Sequence, residues 1–333
     1  MSKKRTFQGH DISIPNKLNI AIFIVMVPIA MALLYTASHT EQWWVIGLCA
    51  IAFAQVNITI FSLLHDATHH TLHSNQKVNN LIGILVSPFF PTGYTFQKIC
   101  HLGHHQRNRT DAEMFEAYNN RDNKLIKNIS LYTILTGIYW TNPPLGALFF
   151  MLMPDSVRES DMIRGKGKYG YSMQRIGAHH MLLPFDSLGT KKINFIRLEI
   201  LYSLLFQVGM ILALDISFVG WMSCYAIFAL NWSGLQYADH AYSVRDIRNG
   251  AWNLKVNKAT QYIFLNYHHH LAHHQYPQVP WLHLAKFVDF EADRPSFIKI
   301  YMRMWKGLVY TDEEAPKGID KDLKPLLDVK NFV

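Results

Sequence analysis

Cysteine is scarce in this chain of 333 residues. There are three, Cys49, Cys100 and Cys224, scattered and without a CxxC pair. That distribution suggests no disulfide framework. Charged residues are also few, at 17% of the total. The balance is +8, yet no basic–aromatic motif accompanies it, which argues against nucleic acid as a partner. Lysine and arginine collect instead in loops, as expected for segments held on the cytoplasmic side of a membrane. No Glu-x-x-His pair occurs, so the soluble carboxylate-bridged dinuclear bundle is not the template. Internal repeats and low-complexity segments are missing as well.

What the chain does have is apolar length. Residues 18–38 and 43–64 carry no charge, and each is long enough to cross about 30 Å of hydrocarbon as a helix. A second pair, 198–214 and 216–236, is broken only by Asp215. Short connections make each pair a helical hairpin. The first run is long and is followed at once by another span, so it reads as a span and not a signal peptide. The opening SKKR places the N-terminus in the cytoplasm. Each hairpin leaves and returns, so His65 and His240 emerge on the cytoplasmic face.

Residues 81–96 are apolar but short and hold two prolines, which suits an interfacial or re-entrant piece. Residues 129–153 are interrupted by Pro143 and Pro144 and flanked by basic residues on both sides. They read as a dip into the membrane or a surface-lying helix pair. The expected architecture is all-α and integral to the membrane. It has two transmembrane helical hairpins (four spans), interfacial helices and a cytoplasmic cap of histidine boxes. Residues 1–17 form a cytoplasmic N-terminal segment, 18–285 the membrane domain with its metal site, and 286–333 a cytoplasmic tail.

Histidine concentrates in three clusters with one grammar: His65/His69, His101/His104/His105 and His270/His273/His274. On a helix, positions three or four apart share a face. Each cluster therefore presents two or three imidazoles in one direction, with His101 aligned to His104 or His105, and His270 to His273 or His274. Neutral imidazole binds iron, zinc, copper and nickel. Eight histidines exceed the need of one tetrahedral zinc and suit two octahedral-type ions with open positions. His240 follows the last span by one turn and is a ninth candidate. Gln236, four residues before it, can approach a metal through a water. Asp66, Asp111 and Asp239 are candidates to orient the ligand rings through their second N–H, with Glu113 and Glu116 weaker ones. His70 could replace His69 on an overwound helix. His268 and His269 lie off the face of their box, and His179 and His180 form an isolated pair. Arg107, Arg109, Arg245 and Arg248 lie near the boxes and could bind a phosphate or carboxylate head group.

These boxes, with hydrophobic hairpins between them, resemble the membrane fatty acid desaturase and hydroxylase superfamily. His240 and Gln236 match a histidine after the fourth span preceded four residues earlier by an asparagine, here a glutamine. The stretches DHAYSVRDIRNGAWNL (239–254) and NYHHHLAHHQYPQVPW (266–281) are similar to bacterial acyl-lipid desaturase-like proteins. The resemblance covers residues 18 to 285. It implies a multi-pass protein of the bacterial inner membrane, with a cytoplasmic site holding two iron ions and O2 as co-substrate. The implied reaction inserts a double bond in a fatty-acyl substrate that is lipid-, CoA- or carrier-linked. A hydroxylase or ketolase acting on fatty acids, sterols or carotenoids is the alternative within the superfamily. A non-enzymatic metal or heme membrane protein is the alternative outside it, but a bis-histidine heme protein would place its histidines inside facing spans. Oxidation needs electrons, and a separate donor such as ferredoxin or a cytochrome is implied.

Overall fold

The computed structural model describes residues 5–161, 163, 182, 185–186 and 188–316. His179, His180 and the last part of the C-terminal tail lie outside the described residues. The described chain is mostly helical. Helix α1 (Asn16–Ser38) and helix α2 (Trp43–Thr68) form the first hairpin. Two further long helices follow late in the chain, α7 (Thr190–Ala213) and α8 (Phe218–Ala238). Among the described residues, α1, α2 and α7 are the helices long and apolar enough to cross a membrane. Helix α8 carries no charge, but Asn231, Ser233 and Gln236 dilute its apolar character. Leu198, Leu205 and Leu212 recur every seven residues on α7 and are all exposed, a stripe that suits lipid and not water.

Shorter helices fill the connections. They are α3 (Gln76–Val86), α4 (Tyr94–Arg107), α5 (Lys124–Leu135) and α6 (Asn142–Leu152). Towards the C-terminus come α9 (Lys258–Ile263), α10 (His270–Gln275) and α11 (Phe297–Met304). Residues 81–96 therefore end one helix and begin another, and 129–153 is a helix pair. Pro143 and Pro144 open α6, where their missing N–H groups cost nothing. Short polar side chains set several starts: Asn75, Asn123, Ser217, Asn257 and Ser296 each accept a hydrogen bond from a first-turn N–H. Among the described residues, strand content is confined to two short pairings: Thr6–Phe7 with His10–Asp11, antiparallel, and Ala117–Tyr118 with Val309–Tyr310, parallel.

Helix α2 is the spine. It packs against α1 on one side and α8 on the other. Phe53, Leu63, Leu64, Tyr225 and Phe228 are fully buried between them. At the end of the bundle away from the histidines, α8 approaches α1 closely: a Cβ on Gly220 would lie 2.3 Å from Ser38 Oγ. Helix α7 leans on α4 and α6 in a second core built from Phe96, Ile99, Phe150 and Ile196. Gln207 of α7 is buried but satisfied. Its amide donates to Pro88 O at 2.7 Å and to Tyr225 Oη at 2.8 Å, and its carbonyl accepts from Trp221 Nε1 at 3.3 Å. These bonds tie α7 to α8 where an unpaired amide would be costly. The outcome is that the C-terminal ends of α2, α4 and α8 meet α10 at one end of the bundle.

Candidate metal centre

Nine histidines converge at that end, and they divide. His65, His69, His101, His105 and His273 form one group, and His104, His240, His270 and His274 the other. Within each group all the donor nitrogens lie within 4.8 Å of one another. The last turn of α2 supplies His65, and its C-cap supplies His69. Helix α4 supplies His101, His104 and His105, and the turn after α8 supplies His240. Helix α10 has only six residues and is held from outside. Ala272 N donates to Asn253 Oδ1 at 3.1 Å, and Leu271 N to Trp252 O at 3.2 Å.

The HxxHH pattern explains the division. At about 100° per residue, positions i and i+4 lie about 40° apart, whereas i+3 and i+4 are a full 100° apart. So His101 and His105 face one group and His104 the other; His270 and His274 face one and His273 the other. Each box straddles both groups.

Six Nε2–Nε2 separations fall between 2.8 and 3.2 Å. One shared proton can satisfy one such contact but not a cage of them. Burial first, then the neighbouring imidazoles, push His69, His105, His240, His270, His273 and His274 well below the ordinary 6.5. His101 is pushed down to about 3. These rings are neutral at pH 7, with their Nε2 atoms facing one another. Donors about 2.1 Å from an ion sit about 3.0 Å apart at octahedral angles and about 3.4 Å apart at tetrahedral angles. The observed separations match the octahedral case. His65 Nε2 is buried with no hydrogen-bond partner, as expected for an atom reserved for a cation.

The outer nitrogens show which neighbours orient the rings. His104 Nδ1 lies 2.6 Å from Glu113 Oε2, and Arg107 Nε donates to Glu113 Oε1 at 3.0 Å. Burial raises the Glu113 carboxyl, but His104 and Arg107 outweigh it and hold the group at about 2. His240 Nδ1 donates to Gly250 O at 2.9 Å. Only glycine fits there, because a Cβ on Gly250 would lie 2.3 Å from both Arg109 Cγ and Asp246 O. Asp239 is fully buried, with Oδ2 3.5 Å from His270 Nδ1. Burial pushes its carboxyl well above the ordinary 3.8. Asp66 Oδ1 lies 3.7 Å from His65 Nδ1.

The remaining sequence candidates sit elsewhere. Asp111 accepts from Arg245 Nη2 at 2.7 Å, away from the imidazoles. Arg245 also donates to Glu313 O. Arg109 is buried and donates to Glu116 Oε1 at 2.7 Å and Ser243 O at 3.0 Å. Arg248 donates to Gln275 O at 2.9 Å. These arginines hold the cap together. His70 takes a left-handed backbone (φ 58°) that turns it out of the cluster, where Lys98 Nζ donates to its Nε2 at 2.8 Å. His268 and His269 pack against each other at a tilt of 44° outside both groups. Gln236 Oε1 accepts from Tyr267 Oη at 2.9 Å, and its amide nitrogen is buried without a partner.

Tyr267 and Glu113 are the two residues that spacing alone underrates. The Tyr267 ring centroid is 4.9 Å from that of His65 in one group and 4.9 Å from that of His270 in the other. Tyr267 therefore stands between the two cages on their apolar side, backed by Phe61 and Trp232. No box rule marks a tyrosine three residues before His270.

Fold and site together define a mostly helical protein with three candidate membrane spans and two groups of histidines that could each hold a metal ion. A model of the fatty acid desaturase family matches residues 41–306, and the chain belongs to that family. It is similar to the chloroplastic sn-2 acyl-lipid omega-3 desaturase (ferredoxin) of Helianthus annuus, 24% identical over 286 residues, covering 83% of this chain and 61% of that protein. It is also similar to the chloroplastic omega-3 fatty acid desaturase of Glycine max, 27% identical over 282 residues, covering 80% and 58%. The chain thus spans about three fifths of the length of these curated relatives.

Proposed function

We propose that the protein is an oxygen-dependent fatty-acyl desaturase. In this reading His65, His69, His101, His105 and His273 hold one iron ion and His104, His240, His270 and His274 a second. The observation that carries it is the five-and-four division of neutral imidazoles at octahedral spacing. Two irons would supply, from dioxygen, the oxidising power that side-chain acids and bases lack for an unactivated C–H bond.

The chain's own residues do the rest. Glu113 and Gly250 O fix the outer protons of His104 and His240 and so aim their Nε2 atoms inward. Gln236 would be placed to reach the second ion through a water, its buried amide nitrogen having no partner among the described residues. Tyr267, Phe61 and Trp232 wall the centre off from water on the apolar side. Trp140, Phe228 and Tyr237 extend this aromatic wall, and the acyl chain would run along it. Phe149 is half exposed and lies on the outer surface.

Removing two hydrogens while dioxygen becomes two waters requires two further electrons and two protons. An external donor follows. The ferredoxin in the name of the sunflower relative points to such a donor, and the net charge of +8 suits an acidic carrier. The same name favours an acyl chain still attached to a lipid. We place α8 as a fourth span beside α1, α2 and α7, with the centre at the cytoplasmic face of a bacterial inner membrane.

The test is product mass. Iron-loaded protein with ferredoxin, its reductase and phospholipid under air should yield acyl chains lacking two hydrogens. Gain of one oxygen atom instead would make the protein a hydroxylase or ketolase. A heme Soret band in the pure protein would defeat both.

A further inference from the structure

A cavity of about 400 Å³ lies to one side of the bundle, apart from the metal centre. Its walls are Gln55 of α2, Asn231 and Leu235 of α8, residues 255–257, Thr260 and Phe264 at α9, and residues 296–298 at the start of α11. We infer that this cavity holds the ester and phosphate end of a membrane glycerophospholipid whose acyl chain is the substrate. This deepens the proposed function and rests on it.

Three observations carry the inference. First, Gln55 and Asn231 are amides in the middle of long apolar helices, facing this cavity, and neither side chain has a hydrogen-bond partner among the described residues. Both side chains are only partly buried, so their amide N–H groups are open to a ligand in the cavity. Ester carbonyls are acceptors of the right kind. Second, Lys255 lines the same cavity, is exposed and has no carboxylate partner among the described residues. An ammonium beside two amide donors suits a phosphate above two esters.

Third, the mouth is built like a membrane interface. Helix α11 buries Ile300 and Met304 but exposes Ile298, Met302 and Trp305 beside Lys299 and Lys306. Tyr262 on α9 is largely exposed as well. Apolar and aromatic side chains interleaved with lysine mark a helix that lies in the head-group layer. Ile298 lines the cavity itself, so the cavity opens where lipid head groups lie.

The far wall leads to the metal centre. Leu235 precedes Gln236, and Phe264 comes three residues before Tyr267. Gln55 lies ten residues before His65 on one helix, about 15 Å along its axis. A chain anchored by its ester at Gln55 would bring a mid-chain carbon, and not the carbons beside the ester, to the imidazoles. Thioester carriers present no phosphodiester at this position and would leave Lys255 unused.

The test uses full-length, iron-loaded protein in detergent. Retention of dipalmitoyl phosphatidylglycerol is read by native mass spectrometry for wild type, Lys255→Glu, Lys255→Arg and the neighbouring Lys258→Glu. The same proteins are then assayed with that lipid and with palmitoyl-CoA. Lys255→Glu should weaken lipid retention about tenfold and raise the KM for the phospholipid, with kcat little changed. Lys255→Arg should restore both, and Lys258→Glu should match wild type. Equal retention in Lys255→Glu and wild type would overturn the inference, as would oxidation of palmitoyl-CoA alone. Normal, Lys255-dependent lipid retention without oxidised product from either substrate would leave this site standing and overturn the proposed function instead.

Discussion

Replacing Glu113 with alanine should empty one half of the metal centre and spare the other. Glu113 touches no inward-facing nitrogen. It lies 2.6 Å from His104 Nδ1 and accepts from Arg107 Nε, so its role is to hold one ligand ring in one orientation. Only His104, in the four-histidine group, depends on it. Loss of such a partner typically lowers metal affinity 10- to 100-fold, about 1.4–2.7 kcal/mol. Glu113→Ala belongs at the upper end, because it also strips Arg107 of its carboxylate. Glu113→Gln keeps one acceptor oxygen and belongs at the lower end. The assay is iron per chain after dialysis against graded chelator. Wild type should lose its two ions together at high chelator. Glu113→Ala should pass through a plateau of one ion per chain. Identical release curves for wild type and Glu113→Ala would refute the reasoning, because they would mean that Glu113 does not orient a ligand.

Other substitutions probe neighbouring parts of the account. His104→Ala and His273→Ala should each abolish product formation, yet each should retain one ion, since they belong to different groups; loss of both ions from either variant, by elemental analysis, would contradict the division. Glu116→Ala should destabilise the fold by about 3–5 kcal/mol by leaving Arg109 buried and unpaired, seen as a lower melting temperature in detergent. Burial raises the Glu116 carboxyl, but Arg109 and hydrogen bonds from Tyr237 and Tyr242 outweigh it and leave the group below its ordinary 4.5. Its contribution is therefore complete above pH 4.5 and is lost as pH falls through the folded value, so the melting difference between wild type and Glu116→Ala should hold constant from pH 7 to 5 and shrink below that. Tyr267→Phe removes one hydrogen bond to Gln236 and should leave the iron content intact, with a stability loss of about 0.5–1.5 kcal/mol.

Eight of the nine converging histidines were legible from spacing, because HxxxH and HxxHH are statements about helix faces, and His240 from its place one turn after the last long apolar run. Their partition was harder. His104 and His105 adjoin in sequence but point about 100° apart, and only the placement of α2, α4, α8 and α10 says which ring joins which cage. Glu113 reaches His104 across the turn after α4, nine residues on, so no periodicity marks it. The arginines misled for a related reason. Basic residues near a metal site suggest an anionic ligand, but Arg109 and Arg245 face Glu116 and Asp111, which become visible as partners only once the loops fold back. Of the long apolar runs, 18–38, 43–64 and 198–214 were plain from composition. Helix α8 was less so, because its polar residues serve the interior: Ser233 Oγ donates to Gly137 O at 3.2 Å, and Gln236 accepts from Tyr267.

The most direct test is anomalous scattering at the iron edge from crystals of the iron-loaded protein. Two peaks are predicted, one inside the cage of His65, His69, His101, His105 and His273 and one inside that of His104, His240, His270 and His274. A single peak between the cages, or one outside both, would contradict the paired centre on which the proposed chemistry depends.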